Sequence, residues 1–290
     1  MKRLAVFTSF ATLAFASAAF ALPLGLRLTL QAASVAAPTD KDDEPTPGDC
    51  TAWIADGAAE GLADGANVEK WTANDGATIS SVGYHPTVAL DAFNGHSALF
   101  FDMQASPSID GDILTGATEL SICFVVKAAS YSSSNILLRH QLYDYAYGGF
   151  TFKLYLSSEG NFASSIKNNS SAYTLDSGIS CGATKSSSYG FASTDDSAPV
   201  FVVIATISAS RNLFTLSVNG VTKSTAVSLS DGFGSFTLEV GNSGGTSGGK
   251  AFNGWISEIR LYPAVALSSE ERNAVGASLA AKYGATWSAE

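Results

Sequence analysis

The sequence predicts an all-β fold, a two-sheet antiparallel β-sandwich closed by one short C-terminal helix. Three observations carry this. Short apolar runs of strand composition recur along the chain with Gly, Ser and Asn filling the gaps between them. Only one stretch, Ser268 to Gly284, has a helical period. Asn219-Gly220 stands between Phe214-Thr-Leu-Ser-Val218 and Val221-Thr-Lys-Ser-Thr225, and a type I′ hairpin turn demands two residues that tolerate positive φ. Many short strands and one helix favour a sandwich over any βαβ arrangement.

The expected strands are Ala98 to Phe101, Leu120 to Lys127, Asn135 to Arg139, Phe150 to Leu156, Val200 to Ser208, Leu213 to Val218, Val221 to Thr225, Ser235 to Val240 and Trp255 to Tyr262. The last ends at Pro263, which has no N–H for a ladder. Ser268 and Glu271 have capping-box spacing, Val275, Leu279 and Tyr283 recur every four residues, and Gly284 supplies the stop. Asn161 to Ser197 is rich in Ser and Asn with scattered aromatics, and long loops are expected there. Within it, Asn168 and Asn169 each head an Asn-x-Ser triplet.

At the N-terminus, Lys2 and Arg3 precede an apolar run from Leu4 to Phe20, and Ala19-Phe20-Ala21 has the form of a signal-peptidase site. Residues 1–21 therefore read as an export signal, which places the mature protein outside the cytoplasm: secreted, at the cell surface or in the periplasm. Residues 22–49 read as a flexible linker, since Asp40 to Asp49 holds only polar residues, Pro and Gly and has too little apolar surface to offset its ordering entropy. Residues 50–287 form one domain of a size usual for a large sandwich. No segment beyond the signal reaches the roughly 20 apolar residues that cross a bilayer.

The chain has 290 residues and a formal net charge of −10. Without Lys2 and Arg3 the 16 basic residues become 14 against 26 acidic ones, a net of about −12. That balance excludes nucleic acid and anionic lipid as expected partners, because both demand a basic patch. The carboxylates admit calcium as a ligand, since hard cations take oxygen donors. Three cysteines in an exported chain permit one intramolecular disulfide at most. Cys123 lies inside the apolar run Leu120 to Val126 and reads as a buried small hydrophobe, so Cys50 with Cys181 is the expected bridge.

The C-terminal stretch Phe252-Asn-Gly-Trp-Ile-Ser-Glu-Ile-Arg-Leu-Tyr-Pro263, followed by the Ala-rich helix ending Tyr283-Gly284, resembles the secreted LamG-like, concanavalin A-like lectin/glucanase jelly rolls. Trp53-Ile-Ala-Asp56 with Val68-Glu-Lys-Trp71, and Asn94-Gly-His-Ser-Ala-Leu-Phe-Phe-Asp102, agree with the same pattern in the same order. The resemblance implies a jelly-roll architecture and a carbohydrate-binding role, with a polysaccharide or glycoconjugate as partner. A surface or matrix sandwich that contacts another protein at the cell surface is the alternative.

Enzymatic readings fare less well. Glycosidases of this superfamily set two carboxylates on one strand, and no strand here carries that pattern, so the chain is expected not to be an enzyme. Glu239 and Glu258 are the one carboxylate pair that neighbouring strands would bring together. Arg139-His140-Gln141 with Tyr143 holds the residue types of a polysaccharide lyase without its separate motifs. His85, His96 and His140 form no metal or triad pattern. Gly244-Gly-Thr-Ser-Gly-Gly249-Lys250 lacks the hydroxyl residue of a phosphate loop and precedes a strand, which makes it a turn. The remaining candidate is Tyr143, Tyr145 and Tyr147, whose spacing of two points all three rings one way in an extended chain. With Asp144 and His140 beside them they make the expected sugar-binding set, because aromatic faces cover the apolar side of a pyranose. Trp53, Trp71 and Trp255 are expected in the core.

Overall fold

A computed structural model describes residues 50–289 apart from 82, 103–104, 106, 110–112, 133–134, 141–149, 168–170, 187–196, 230–231, 235–236 and 242–250. The expected signal and linker, the tyrosine run, both Asn-x-Ser asparagines and the Gly-rich turn lie outside the described residues.

In chain order the elements are β1 (Thr51–Ile54), α1 (Ala55–Ala59), β2 (Lys70–Thr72), β3 (Thr78–Ser80), β4 (Thr87–Phe93), β5 (His96–Asp102) and β6 (Ser108–Ile109). Then come β7 (Glu119–Tyr131), β8 (Asn135–His140), β9 (Thr151–Leu156), β10 (Asn161–Lys167), β11 (Ala172–Ser180) and β12 (Thr184–Lys185). The chain closes with β13 (Phe201–Ser208), β14 (Leu213–Val218), β15 (Val221–Ala226), β16 (Leu238–Val240), β17 (Asn253–Pro263) and α2 (Ser269–Tyr283). The first sheet runs β15-β14-β13-β7-β17-β5-β4, with β1 on the flank of β17 and the short β12 joining β7 in parallel. The second runs β11-β10-β9-β8-β16-β6-β3-β2, and every described pairing in it is antiparallel. The expected two-sheet sandwich is thus the observed fold.

The hairpin at Asn219-Gly220 forms as its dipeptide requires, with φ of 49° and 87° and Val218 paired to Val221. The helix is capped as its sequence dictates: the Ser268 N–H donates to Glu271 Oε2 at 2.7 Å and the Glu271 N–H to Ser268 Oγ at 3.2 Å. Gly284 takes the left-handed conformation, and its N–H donates to the Ala280 carbonyl.

Residues 161–167 and 172–180 depart from expectation. They form β10 and β11 rather than loops, because Phe162, Ser164 and Ile166 alternate inward and Leu175 follows suit, while Ser, Thr and Asp face outward. Serine filled both rows and hid the alternation. The expected Cys50–Cys181 bridge is also corrected. None of the three cysteines is joined in a disulfide. Cys181 is buried in the core between the sheets, whereas Cys50 sits with the layer beneath α2. Cys123 is fully buried, as expected.

The central core fills the space between the sheets, with Trp53 and Trp71 among its largest side chains. A second apolar layer lies on the outer face of the first sheet, where Cys123, Val125, Val202, Ile204 and Tyr262 meet Val275, Leu279 and Tyr283 of α2. Trp255 belongs to the margin of that layer, half-buried, with its ring 4.9 Å from Phe100 and the Lys127 ammonium 5.3 Å above it. Inside the layer is Glu258, 1% exposed. It accepts from Arg260 Nε, from Lys282 Nζ at 2.8 Å and from the Tyr283 hydroxyl. Burial alone would raise this carboxyl, but Arg260 and Lys282 outweigh it and hold Glu258 below the usual carboxylate range.

Because its folded-state pKa is depressed, Glu258 contributes stability above about pH 4.5 that is lost as pH falls through the folded value. Glu258→Gln is expected to cost about 3–5 kcal/mol at pH 7, since Arg260 and Lys282 lose their counter-charge, with the deficit shrinking below about pH 4. Urea melts at pH 7 and pH 3.5 check both halves.

Candidate functional site

The helix α2 covers the middle strands of the first sheet's outer face, and the outer face of the second sheet carries a continuous row of mostly polar side chains. Cross-strand register fixes which residues stand there. One row points inward and holds Trp71, Ile79, Ile109, Leu238, His140, Phe152 and Ile166. The next row points outward through Lys70, Ser80, Ser108, Glu239, Arg139, Lys153, Ser165 and Thr174. A shorter outward row adds Tyr155, Ala163 and Asp176.

At the centre, Arg139 of β8 donates to Glu239 of β16 through Nε at 3.1 Å and Nη2 at 2.7 Å, both to Oε2. Their side chains are only 10% and 21% exposed, so the pair is sheltered rather than solvated. Burial pushes the Glu239 carboxyl above its ordinary range, and Arg139 only partly offsets that. Lys153 stands directly opposite Arg139 on β9. Two residues on, Tyr155 is half-buried, its hydroxyl pushed up by burial and by the nearby Asp176 carboxylate. Chemically this is an array of donors, an acceptor and an aromatic ring at the roughly 5 Å spacing of neighbouring strands. It suits a ligand that carries several hydroxyls, because each hydroxyl both donates and accepts.

The array does not suit acid–base cleavage of a glycosidic bond. Glu239 lies on β16 of the second sheet and Glu258 on β17 of the first, on opposite outer faces of the sandwich. The expected pair is therefore not formed: after β16 the chain crosses to the other sheet, so closeness in sequence does not become closeness in space. Among the described strands of this face Asp176 is the other carboxylate. It stands four strand positions from Glu239, about 19 Å, against the 5–9.5 Å that hydrolysis needs.

Two histidines are committed elsewhere. His96 Nδ1 lies 2.7 Å from Asp56 Oδ2, with its ring edge-on to Tyr283, and His85 Nδ1 lies 2.7 Å from Ser81 Oγ. His140, expected beside the tyrosines at a sugar surface, stands instead in the inward row, fully buried and edge-on to Phe233 at 5.5 Å. The alternation of β8 sends Arg139 outward and His140 inward. Tyr143, Asp144, Tyr145 and Tyr147 fall in 141–149, which joins β8 to β9 and lies outside the described residues. Among the described residues no group of three His, Cys, Asp or Glu side chains could hold a metal ion, so the calcium expectation finds no ligand set there. No described helix is long and apolar enough to cross a membrane.

No protein-family model matches the sequence, and no curated protein matches it. Solved structures do. The chain is similar to domain 4 of AbnA, a GH43 extracellular arabinanase from Geobacillus stearothermophilus, in complex with arabinotriose; the match has TM-score 0.55 at 13% identity and covers 78% of this chain and 97% of that one. It is also similar to the binding domain of Paraclostridial Mosquitocidal Protein 1, with TM-score 0.51 and 14% identity over 74% of this chain and 51% of that one. A third likeness is to the receptor binding domain of botulinum neurotoxin D, with TM-score 0.51 and 16% identity over 72% and 50%. The chain thus spans about half the length of the two toxin domains. Together these likenesses establish the jelly-roll sandwich that the C-terminal motif implied.

Glu239 and Glu258 should respond to pH in opposite senses. Glu239 has a raised folded-state pKa, so its contribution is fullest at low pH and is lost as pH rises through that value. At pH 7 Glu239→Gln is expected to cost less than Glu258→Gln, because the unfavourable ionisation of the sheltered acid offsets part of what Arg139 loses with its counter-charge. Measured by urea midpoints, the gap between wild type and this variant should widen toward pH 4, whereas the gap for Glu258→Gln should narrow.

Proposed function

We propose that this chain is an exported, non-catalytic glycan-binding module of LamG-like type, and that the outer face of its second sheet receives the ligand. The observation that carries the reading is the sheltered Arg139–Glu239 pair, flanked by Lys153 and Tyr155 in cross-strand register. Polar side chains that are mostly buried yet aimed away from the core cost desolvation energy, and a polyhydroxylated ligand gives that cost a use. The described carboxylates of this face stand too far apart for hydrolysis, which supports binding over cleavage. Similarity to a domain whose structure was solved with arabinotriose agrees with a saccharide ligand. Tyr143, Asp144, Tyr145 and Tyr147, the sugar-binding set expected from the sequence, lie outside the described residues and are tested by substitution. Export through residues 1–21 places the module where polysaccharides and glycoconjugates occur.

A glycan array probed with the full chain tests the reading, with Arg139→Ala, Tyr155→Ala and the Tyr143→Ala/Tyr145→Ala double variant alongside. Retained circular dichroism and melting temperature certify the fold. Binding that falls about tenfold or more in Arg139→Ala or Tyr155→Ala, as loss of charge-assisted hydrogen bonds or ring contact implies, supports the site. Wild type without glycan binding, or binding unchanged in all three variants, overturns it.

A further inference from the structure

We infer that residues 285–288 form a latch that holds α2 against the first sheet, and that release of Trp287 lets α2 lift while the sandwich stays folded. This conformational device is independent of the glycan-binding reading. A glycine in the helix is its clearest mark. Gly276 stands in the middle of α2, among alanines, where glycine is disfavoured because it loses more backbone freedom than alanine on folding. A β-carbon built there would overlap the six-membered ring of Trp287. The indole is thus seated on the helix backbone, and only glycine leaves it room.

The rest of the latch follows the same path. Gly284 turns the chain back, and the Ala285 N–H donates to the Ala280 carbonyl at 2.9 Å. Trp287 Nε1 donates to Asn273 Oδ1 of the helix at 3.2 Å. The tail then reaches the β14–β15 turn, where Asn219 Nδ2 donates to Thr286 Oγ1 at 3.4 Å and the Ser288 N–H donates to the Asn219 carbonyl at 3.0 Å. A β-carbon on Gly220 would overlap the Ser288 backbone, so the turn as well as the helix is cut to fit the tail. Thr286 and Ser288 are exposed and Trp287 is half-buried, which makes the indole the main apolar contact of the latch. Segments with few buried contacts are the first to open. Strand pairing in the first sheet makes no use of α2, so lifting the helix breaks no ladder. What it uncovers is the apolar layer of Cys123, Val125, Val202, Ile204 and Tyr262, on the side of the sandwich away from Arg139.

Two cysteines serve as reporters in the full chain. Cys123 is buried in the layer beneath α2, and Cys181 is buried between the sheets. Native protein is labelled with N-ethylmaleimide and the rate at each cysteine is read by peptide mass spectrometry, with circular dichroism certifying the fold of every variant. Trp287→Ala is expected to speed labelling of Cys123 about tenfold or more and to leave Cys181 within about twofold, with Trp287→Phe between wild type and Trp287→Ala. Equal acceleration at both cysteines, or none at Cys123, overturns the latch. Gly276→Ala supplies a second, independent arm through urea midpoints. In an ordinary helix interior this change stabilises. Here it is expected to lower the midpoint of wild type, because the indole is forced off its seat, and to raise the midpoint in the Trp287→Ala background. A Gly276→Ala midpoint above wild type with Trp287 in place would show that the indole is not seated there and would overturn the inference.

Discussion

Cross-strand register is the constraint on which this sandwich rests. Side chains alternate with a period of two, so a single pairing offset would exchange the inward row Leu238, His140 and Phe152 for the outward row Glu239, Arg139 and Lys153. A buried Arg–Glu–Lys row without solvent and an exposed Leu–Phe row would together be untenable. The same offset therefore decides both where the core closes and what the second sheet presents. That is why His140 and Arg139, adjacent in sequence, meet different environments: one faces Phe233 in the interior, the other a carboxylate on the surface.

The first sheet uses its two faces differently. Its inner face meets the central core, and its outer face is sealed by α2 through Val275, Leu279 and Tyr283. Glu258 ties the seal, since its partners come both from its own strand and from the helix. Breaking a buried pair by removing one partner leaves an uncompensated charge, so this network fixes helix position more than it adds net stability. The proposed ligand surface lies on the other sheet, which no described helix covers. The two buried acids divide along the same line: cations outweigh burial at Glu258, and burial outweighs its single arginine at Glu239.

The sequence made the fold legible wherever local chemistry dictated structure. The Asn219-Gly220 turn, the Ser268–Glu271 capping box and the apolar strands around Ile204 and Phe124 needed no tertiary information. Strands β10 and β11 did, because serine occupies inward Ser164 and outward Ser165 alike and erases the hydrophobic alternation. The site was only half visible. Arg139 and Glu239 were each conspicuous, but their pairing joins residues 100 apart in sequence and depends on the strand order β9-β8-β16, which no local pattern encodes. Lys153 and Tyr155 did leave a signal. With Thr151 they are the polar positions of a strand in which they alternate with the core residues Phe152, Leu154 and Leu156. The Glu239 and Glu258 pairing failed for the complementary reason, since neighbours in sequence were assigned to one sheet when the chain had crossed to the other.

The most direct test is to map backbone amide chemical shifts of the isotope-labelled protein during titration with the oligosaccharide that binds most tightly on the glycan array. The largest changes should fall on β8, β9 and β16, around Arg139, Lys153 and Glu239, with α2 and β15 unmoved. Changes centred on α2 or on the first sheet, or none at saturating oligomer, would contradict the assignment of the second sheet's outer face as the working surface of this protein.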